Sequence, residues 1–260
     1  MTSIMRTLAA ALLAAVCAHA AAAQGLYWET STTGVGKEAR TAQTYAMPKM
    51  MKIVGANGHV MILRADRDTF ISVDPKKQSY QELTFAEMEA ASKSMQAQME
   101  AARGKMQEQM KGMTPEQRAM MEKVMPKMPS AEKPKSSPVV VQNTGETKTI
   151  AGHQCTKYVA TQDGQTVLVA CTAKDVKGFD ALRGDWLEYQ KRFAATNRAF
   201  GSALADAYAK IEGFPLETEM GSAKVVVTKV ENRTTPASEF EVPAGYKKEA
   251  VNIPTPKQKP

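Results

Sequence analysis

Turn residues recur about every ten positions through the first third of the chain and cut it into short apolar runs. Gly55-Ala56-Asn57-Gly58, Asp66-Arg67-Asp68 and Asp74-Pro75-Lys76-Lys77 are turns by composition, because Asn, Asp and Gly accept positive φ and Pro presets a turn. Between and around them lie Leu26 to Thr30, Met51 to Val54, His59 to Arg64, Thr69 to Val73 and Gln78 to Leu83. Strands joined this tightly pair antiparallel, since a parallel return needs a dozen or more residues. Residues 24–84 are therefore expected to form an antiparallel meander.

The pattern then changes to helix period. Over 85–128 there are no β-branched runs, and Met88, Met95, Met99, Met106, Met110 and Met113 fall on one side of a helix at 100° per residue. Thr114-Pro115-Glu116-Gln117 begins a second helix, with Thr as N-cap, Pro at the first position and Gln completing a capping box. Met120, Met121, Val124, Met125 and Met128 form its apolar side. Residues 85–128 are read as a Met-rich helical hairpin inserted into the domain, and the Pro-, Lys- and Ser-rich stretch 129–138 as a linker.

Strands return over 139–172. Cys155 and Cys171 flank Gln162-Asp163-Gly164, and a three-residue loop with Gly in the left-handed position would set the two cysteines directly opposite each other, within disulfide range. From 178 to 211, Phe179, Leu182, Trp186, Tyr189, Phe193, Phe200, Leu204 and Ile211 recur at three- and four-residue steps, which predicts one long helix. Aromatics are only 6% of the chain, so this helix is expected to be the main packing element. Strands at Leu216 to Met220, Lys224 to Val230 and Phe240 to Pro243 complete the domain at 251, and 252–260 is a Pro- and Lys-rich tail expected to be disordered.

Ahead of the strands, Arg6 precedes the apolar run Leu8 to Ala18, and Ala21-Ala22-Ala23 before Gln24 fits a small-x-small cleavage pattern. Residues 1–23 are read as a secretory signal peptide cut near Ala23, with Ala18-His19-Ala20 as the alternative site. The run is shorter than the roughly 20 residues that span a bilayer, and no transmembrane segment is expected. Val16 before Cys17 is not the small residue that a lipidation site requires. The expected location is a bacterial periplasm, where disulfides persist.

Several segments resemble a known family: the Met51-Lys52-Ile53-Val54 and Val60-Met61-Ile62-Leu63-Arg64-Ala65-Asp66 meander, Ala151-Gly152-His153-Gln154-Cys155-Thr156-Lys157-Tyr158, Gly213-Phe214-Pro215-Leu216-Glu217, and Phe240-Glu241-Val242-Pro243-Ala244-Gly245-Tyr246. They are similar to an uncharacterised family of Gram-negative secreted proteins known only as a domain of unknown function. Its strand layout is similar to that of the periplasmic lipoprotein carriers of the LolA and LolB group, where a curved antiparallel sheet wraps a helix and shelters acyl chains. The resemblance implies an α+β fold, a half-barrel sheet around the 178–211 helix, and a hydrophobic ligand, either a lipid or a lipoprotein acyl chain. Ile53, Val60, Ile62 and Ile71 on the sheet would then face Trp186, Phe193 and Phe200.

Other chemistry finds little support in the residues. His153, Cys155 and Cys171 could be three metal ligands, but no fourth His or Cys is near in sequence and export favours the disulfide. No Gly-x-Ser-x-Gly elbow occurs, and His59 and His153 are the only histidines outside the leader. No enzyme activity and no cofactor are expected. The formal charge of +7 is scattered among acidic residues without an aromatic-interleaved basic stripe, which argues against nucleic acid. The Met faces leave an alternative open. Thioethers make an adaptable apolar surface for unfolded envelope proteins, and Met113-Thr114-Pro115-Glu116-Gln117 resembles the repeat of Spy and CpxP-type periplasmic chaperones. Thioethers are also soft ligands for Cu(I).

Overall fold

The computed structural model describes residues 24–111, 114, 137–196 and 201–251. The expected signal peptide, the second half of the Met-rich hairpin, most of the linker and the tail lie outside them. The strands are β1 (Gln24–Thr33), β2 (Arg40–Met47), β3 (Met50–Gly55), β4 (Val60–Arg64), β5 (Thr69–Asp74), β6 (Ser79–Thr84), β7 (Val140–Ile150), β8 (His153–Gln162), β9 (Gln165–Ala173), β10 (Phe214–Met220), β11 (Ala223–Thr234) and β12 (Lys247–Lys248). They form one open, curved 12-stranded sheet in the order β12-β6-β5-β4-β3-β2-β1-β11-β10-β9-β8-β7. Every neighbour pair is antiparallel except β12 on β6.

The expected N-terminal meander is present, with one strand more than the apolar runs mark. β2 reads Arg-Thr-Ala-Gln-Thr-Tyr-Ala-Met, which has no β-branched cluster, and its inward side is made of small residues. It sits between β1 and β3, where Gly25 passes so close that a Cβ would lie 2.3 Å from the Ala46 carbonyl oxygen. β1 then joins two meanders, β1–β6 and β7–β11, through its pairing with β11, from Gln24 opposite Thr234 to Thr33 opposite Lys224.

Three helices accompany the sheet among the described residues: α1 (Phe85–Lys111), α2 (Phe179–Thr196) and α3 (Gly201–Lys210). α1 starts where its sequence predicts, on a capping box: the Thr84 N–H donates to Glu87 Oε2 (2.7 Å) and the Glu87 N–H to Thr84 Oγ1 (3.1 Å). The single helix expected over 178–211 is instead two. Trp186 and Tyr208 are 22 residues apart and would stand roughly 33 Å apart along one straight helix. Their rings are edge to face at 4.7 Å, so α3 folds back beside α2. Gly213 then ends the helical stretch at φ +88°, where a Cβ would lie 2.6 Å from the Ala173 carbonyl oxygen. Phe240 to Pro243 is also not a strand. Ala237–Phe240 is a turn of 3₁₀ helix after Pro236, and it lays Phe240 onto the sheet.

The β8–β9 hairpin differs in register from the sequence reading. Asp163 and Gly164 both have positive φ, 51° and 76°, which makes a two-residue turn with Gln162 opposite Gln165. A bulge between Ala160 and Thr161 then shifts the ladder, so that Cys171 pairs with Lys157 rather than with Cys155. The cysteines are diagonal neighbours with Cα atoms 5.3 Å apart, and they are disulfide-bonded. Both are buried in the core with Leu26, Phe179, Phe214 and Leu216.

A second set of contacts fixes the C-terminal segment. Phe240 is fully buried with Met47, Ile62, Ile71 and Val73. Above it Arg64, 5% exposed, donates from Nε and Nη2 to both Asp66 carboxylate oxygens at 2.9 and 2.7 Å. Its Nη1 reaches Glu241 and the Phe240 carbonyl, and Arg67 holds Glu241 from outside at 2.9 and 3.0 Å. Hydrogen bonding to Arg64 holds the Asp66 carboxyl below its ordinary value. For Glu241, partial burial pushes upward, but the hydrogen bonds from Arg64 and Arg67 win and the value is lowered.

Two outcomes are expected. Thiol labelling of the unfolded, non-reduced protein should find no free thiol at Cys155 or Cys171, and replacing both by Ser should cost about 3 kcal/mol in denaturant melts. Two labelled thiols would contradict the pairing. Replacing Arg64 by Met should cost about 2 kcal/mol at neutral pH, because two carboxylates lose their shared cation. Both carboxyls titrate lower folded than unfolded, so this contribution is complete above the ordinary carboxylate range near 4 and fades as pH falls through the folded values. The gap between wild-type and variant melting temperatures should therefore shrink below about pH 4, and a gap independent of pH would count against it.

Candidate functional site

Side chains alternate across a strand, so the register sorts the sheet into two faces. Leu26 and Trp28 of β1 lie on the same face as Thr44 and Ala46 of β2, Met51 and Ile53 of β3, and Met61 and Leu63 of β4. This is the face that α2 crosses. The opposite face carries Tyr45 and Met47, then Ile62, then Ile71 and Val73, and it is closed over by Phe240.

Between α2 and β1–β4 runs a narrow apolar slot enclosing about 400 Å³, open solvent included. As it stands, it scarcely admits a water-sized sphere. Trp28, Met51 and Leu63 form the sheet side, and Phe179, Leu182 and Trp186 the helix side. Edge-to-face ring contacts run through its wall: Trp28 to Phe214 at 5.4 Å, Phe214 to Phe179 at 5.1 Å, Phe179 to Trp186 at 6.0 Å, and Trp186 to Tyr208. Such contacts add to simple burial. Burial pushes the Tyr208 hydroxyl up to about 12, against a hydrogen bond with Thr218 that lowers it, so the wall stays uncharged at any physiological pH.

Polar contacts at the rim hold α2 down. Asp185 Oδ2 accepts the backbone N–H of Lys49 in the β2–β3 turn at 2.8 Å. Two turns further on, Arg192 is bound to Glu188 at 2.9 Å and to Asp68 in the β4–β5 turn. The Arg192 guanidinium also lies over the Phe85 ring at 4.7 Å, which ties α2 to the start of α1.

The residues singled out from sequence are only partly brought together. Trp186 lines the slot. Ile53 is on the same face of the sheet, half-buried and outside the slot lining. Ile62 and Ile71 point to the opposite face and are packed under Phe240, as the half-buried Val60 is beside them. The Phe193 side chain and all of Phe200 lie outside the described residues. Val60-Met61-Ile62-Leu63 is apolar at every position, so alternation could not say which member faces the helix. The neighbour Leu63, not Ile62, does. Trp28, alternating with Leu26 in β1, carried a signal that the apolar runs obscured.

A second hollow, about 540 Å³, lies over β7–β10 beside Cys171. Its Lys148 and Lys224 flank Glu217 at 2.5 and 3.2 Å, Lys224 also meets Glu219 at 2.9 Å, and Lys157 meets Glu146 at 2.8 Å. Three cations are matched by three carboxylates, which leaves no net charge to attract an ion. The cysteine sulfurs are consumed by the disulfide, and His153 Nδ1 lies 3.1 Å from Asp175. Among the described residues, no group of three His, Cys, Asp or Glu is arranged to hold a metal, and no helix is long and apolar enough to cross a membrane.

A family profile described as a domain of unknown function (DUF4412) matches residues 86–246, from α1 to just before β12, while β1–β6 precede the match. No curated protein matches the chain. Among solved structures, an uncharacterized conserved protein from Thermus thermophilus is 7% identical, with 88% of this chain and 91% of that chain covered at a TM-score of 0.44. PNGF-II is 10% identical at a TM-score of 0.36, with 87% of this chain covered, and the match spans 31% of PNGF-II.

Proposed function

We propose that this chain, which belongs to the DUF4412 family, is a non-catalytic binding protein of the bacterial periplasm that shelters an acyl chain, free or on a lipoprotein, beneath α2. The observation that carries this reading is the slot: an apolar, aromatic-walled space between sheet and helix, with charged groups only at its rim. An acyl chain burying about 300 Å² there would gain roughly 7 kcal/mol before the costs of binding are subtracted. The slot is too narrow to receive a chain without α2 lifting. The contacts that oppose lifting are a few exposed polar ones at the rim, each weak, which suits a helix that opens for a ligand. The layout is similar to that of the lipoprotein carriers, where the sheet shelters acyl chains against a helix. The buried Cys155–Cys171 disulfide and the apolar leader support export to an oxidising compartment.

One observation favours a second reading. Met95 and Met99 stand 54% and 63% exposed, one turn apart on α1, where they offer thioethers to an unfolded chain or to Cu(I).

Titration of the exported protein with a fluorescent long-chain fatty acid separates the two. Saturable binding is expected. Met51→Glu, which puts a charge into the slot from a half-buried position, should weaken it by about tenfold or more, equivalent to about 1.4 kcal/mol. Met95→Ser with Met99→Ser should leave it unchanged. No binding by the wild type, or loss only in the α1 variant, would overturn the slot as the site.

A further inference from the structure

We propose that the ligand of the slot is an amphiphile with a single anionic head, a carboxylate or a phosphate, received by the Lys49 ammonium at the rim. This rests on the slot being the acyl site. Lys49 and Asp185 are the only charged residues lining it among those described, and they are not equivalent. The Asp185 carboxylate is committed: its Oδ2 takes the Lys49 backbone N–H at 2.8 Å and so pins α2 to the β2–β3 turn. The Lys49 ammonium has no carboxylate partner among the described residues. Its neighbours do: Lys52 is paired with Glu239, Arg64 with Asp66 and Glu241, and Arg192 with Asp68 and Glu188.

The turn itself makes a lysine unexpected. Met47 pairs with Met50, so Pro48 and Lys49 are the two loop residues, and Lys49 sits at φ +61°. Proline followed by a positive-φ residue is the pattern of a type II turn, whose second central position favours Gly or Asn. A lysine is strained there, and nothing in the turn uses its side chain. What the position provides is reach: an exposed, flexible cation beside an apolar slot whose other rim charge is already satisfied. An acyl chain lying under α2 with its head at the β2–β3 end would bring an anion to that ammonium. A cationic head would meet an Asp185 already engaged and a lysine that repels it.

The test is competition against a bound fluorescent fatty acid by three unlabelled ligands of equal chain length: the free fatty acid, its methyl ester, and a monoacyl glycerol phosphate. In the wild type, both anions should compete at least about fivefold better than the ester. Lys49→Met, which keeps the length of the side chain and removes its charge, should erase that preference while the ester competes as before, which also shows the variant folded. A carboxylate head and a phosphate head are told apart by which anion competes better. Equal competition by ester and anions, or a preference that survives Lys49→Met, would overturn the headgroup assignment and leave the acyl site standing. If no fatty acid binds in the first place, the acyl site falls and this assignment falls with it.

Discussion

The pairing of β1 with β11 is the constraint on which the rest depends. It joins two meanders built from opposite ends of the chain, setting Leu26 opposite Asn232 and Thr30 opposite Val227 across about 200 residues of sequence. Either meander alone would leave an apolar face bare. Once joined, Leu26 and Trp28 meet Phe214, Leu216 and Val227 in one cluster, and the start of α2 lands on that cluster with Phe179 and Leu182. The close approach of β1 to β2 at Gly25, where any side chain would collide with Ala46, is part of the same junction. A contact this distant in sequence forms only after a large loss of chain entropy, and the disulfide and the Arg64 cluster stabilise the two flanks that it holds together.

The two faces of the sheet are finished in different ways, and that difference decides where a ligand can go. On the outer face, Phe240 fills the space over Met47, Ile62, Ile71 and Val73, and the buried Arg64 locks it there through Asp66 and Glu241. That cluster is closed, and opening it would strand a buried cation. On the other face, α2 is seated firmly at its N-terminal end and then crosses toward β4, held by Asp185 and Arg192 at the rim. An element packed at one end and hinged on exposed polar contacts at the other is drawn from the less stable part of a structure.

Much of the architecture was legible in the residues, and the gaps have physical causes. The meander turns, the start of α1 and the disulfide pair were readable because Gly, Asn, Pro and Cys act locally. β2 was not, because its inward residues are the small Thr44 and Ala46 and its apolar weight comes from its neighbours. The single long helix was an over-reading: the spacing from Phe179 to Ile211 continues through the point where the chain reverses. For the site, Trp186 was identified, while Ile62 and Ile71 were assigned to the wrong face because an uninterrupted apolar strand has no alternation to read. Lys49 and Asp185 became visible only with the turn and the helix in place, since 136 residues separate them.

The central claim is that the space beneath α2 belongs to an acyl chain. Native mass spectrometry of the protein purified from the periplasm of the cells that make it tests this most directly. The account expects a fraction carrying one added mass in the range of a single-chain amphiphile, with the Cys155–Cys171 disulfide intact. Protein recovered only bare, or carrying copper in place of lipid, would contradict it.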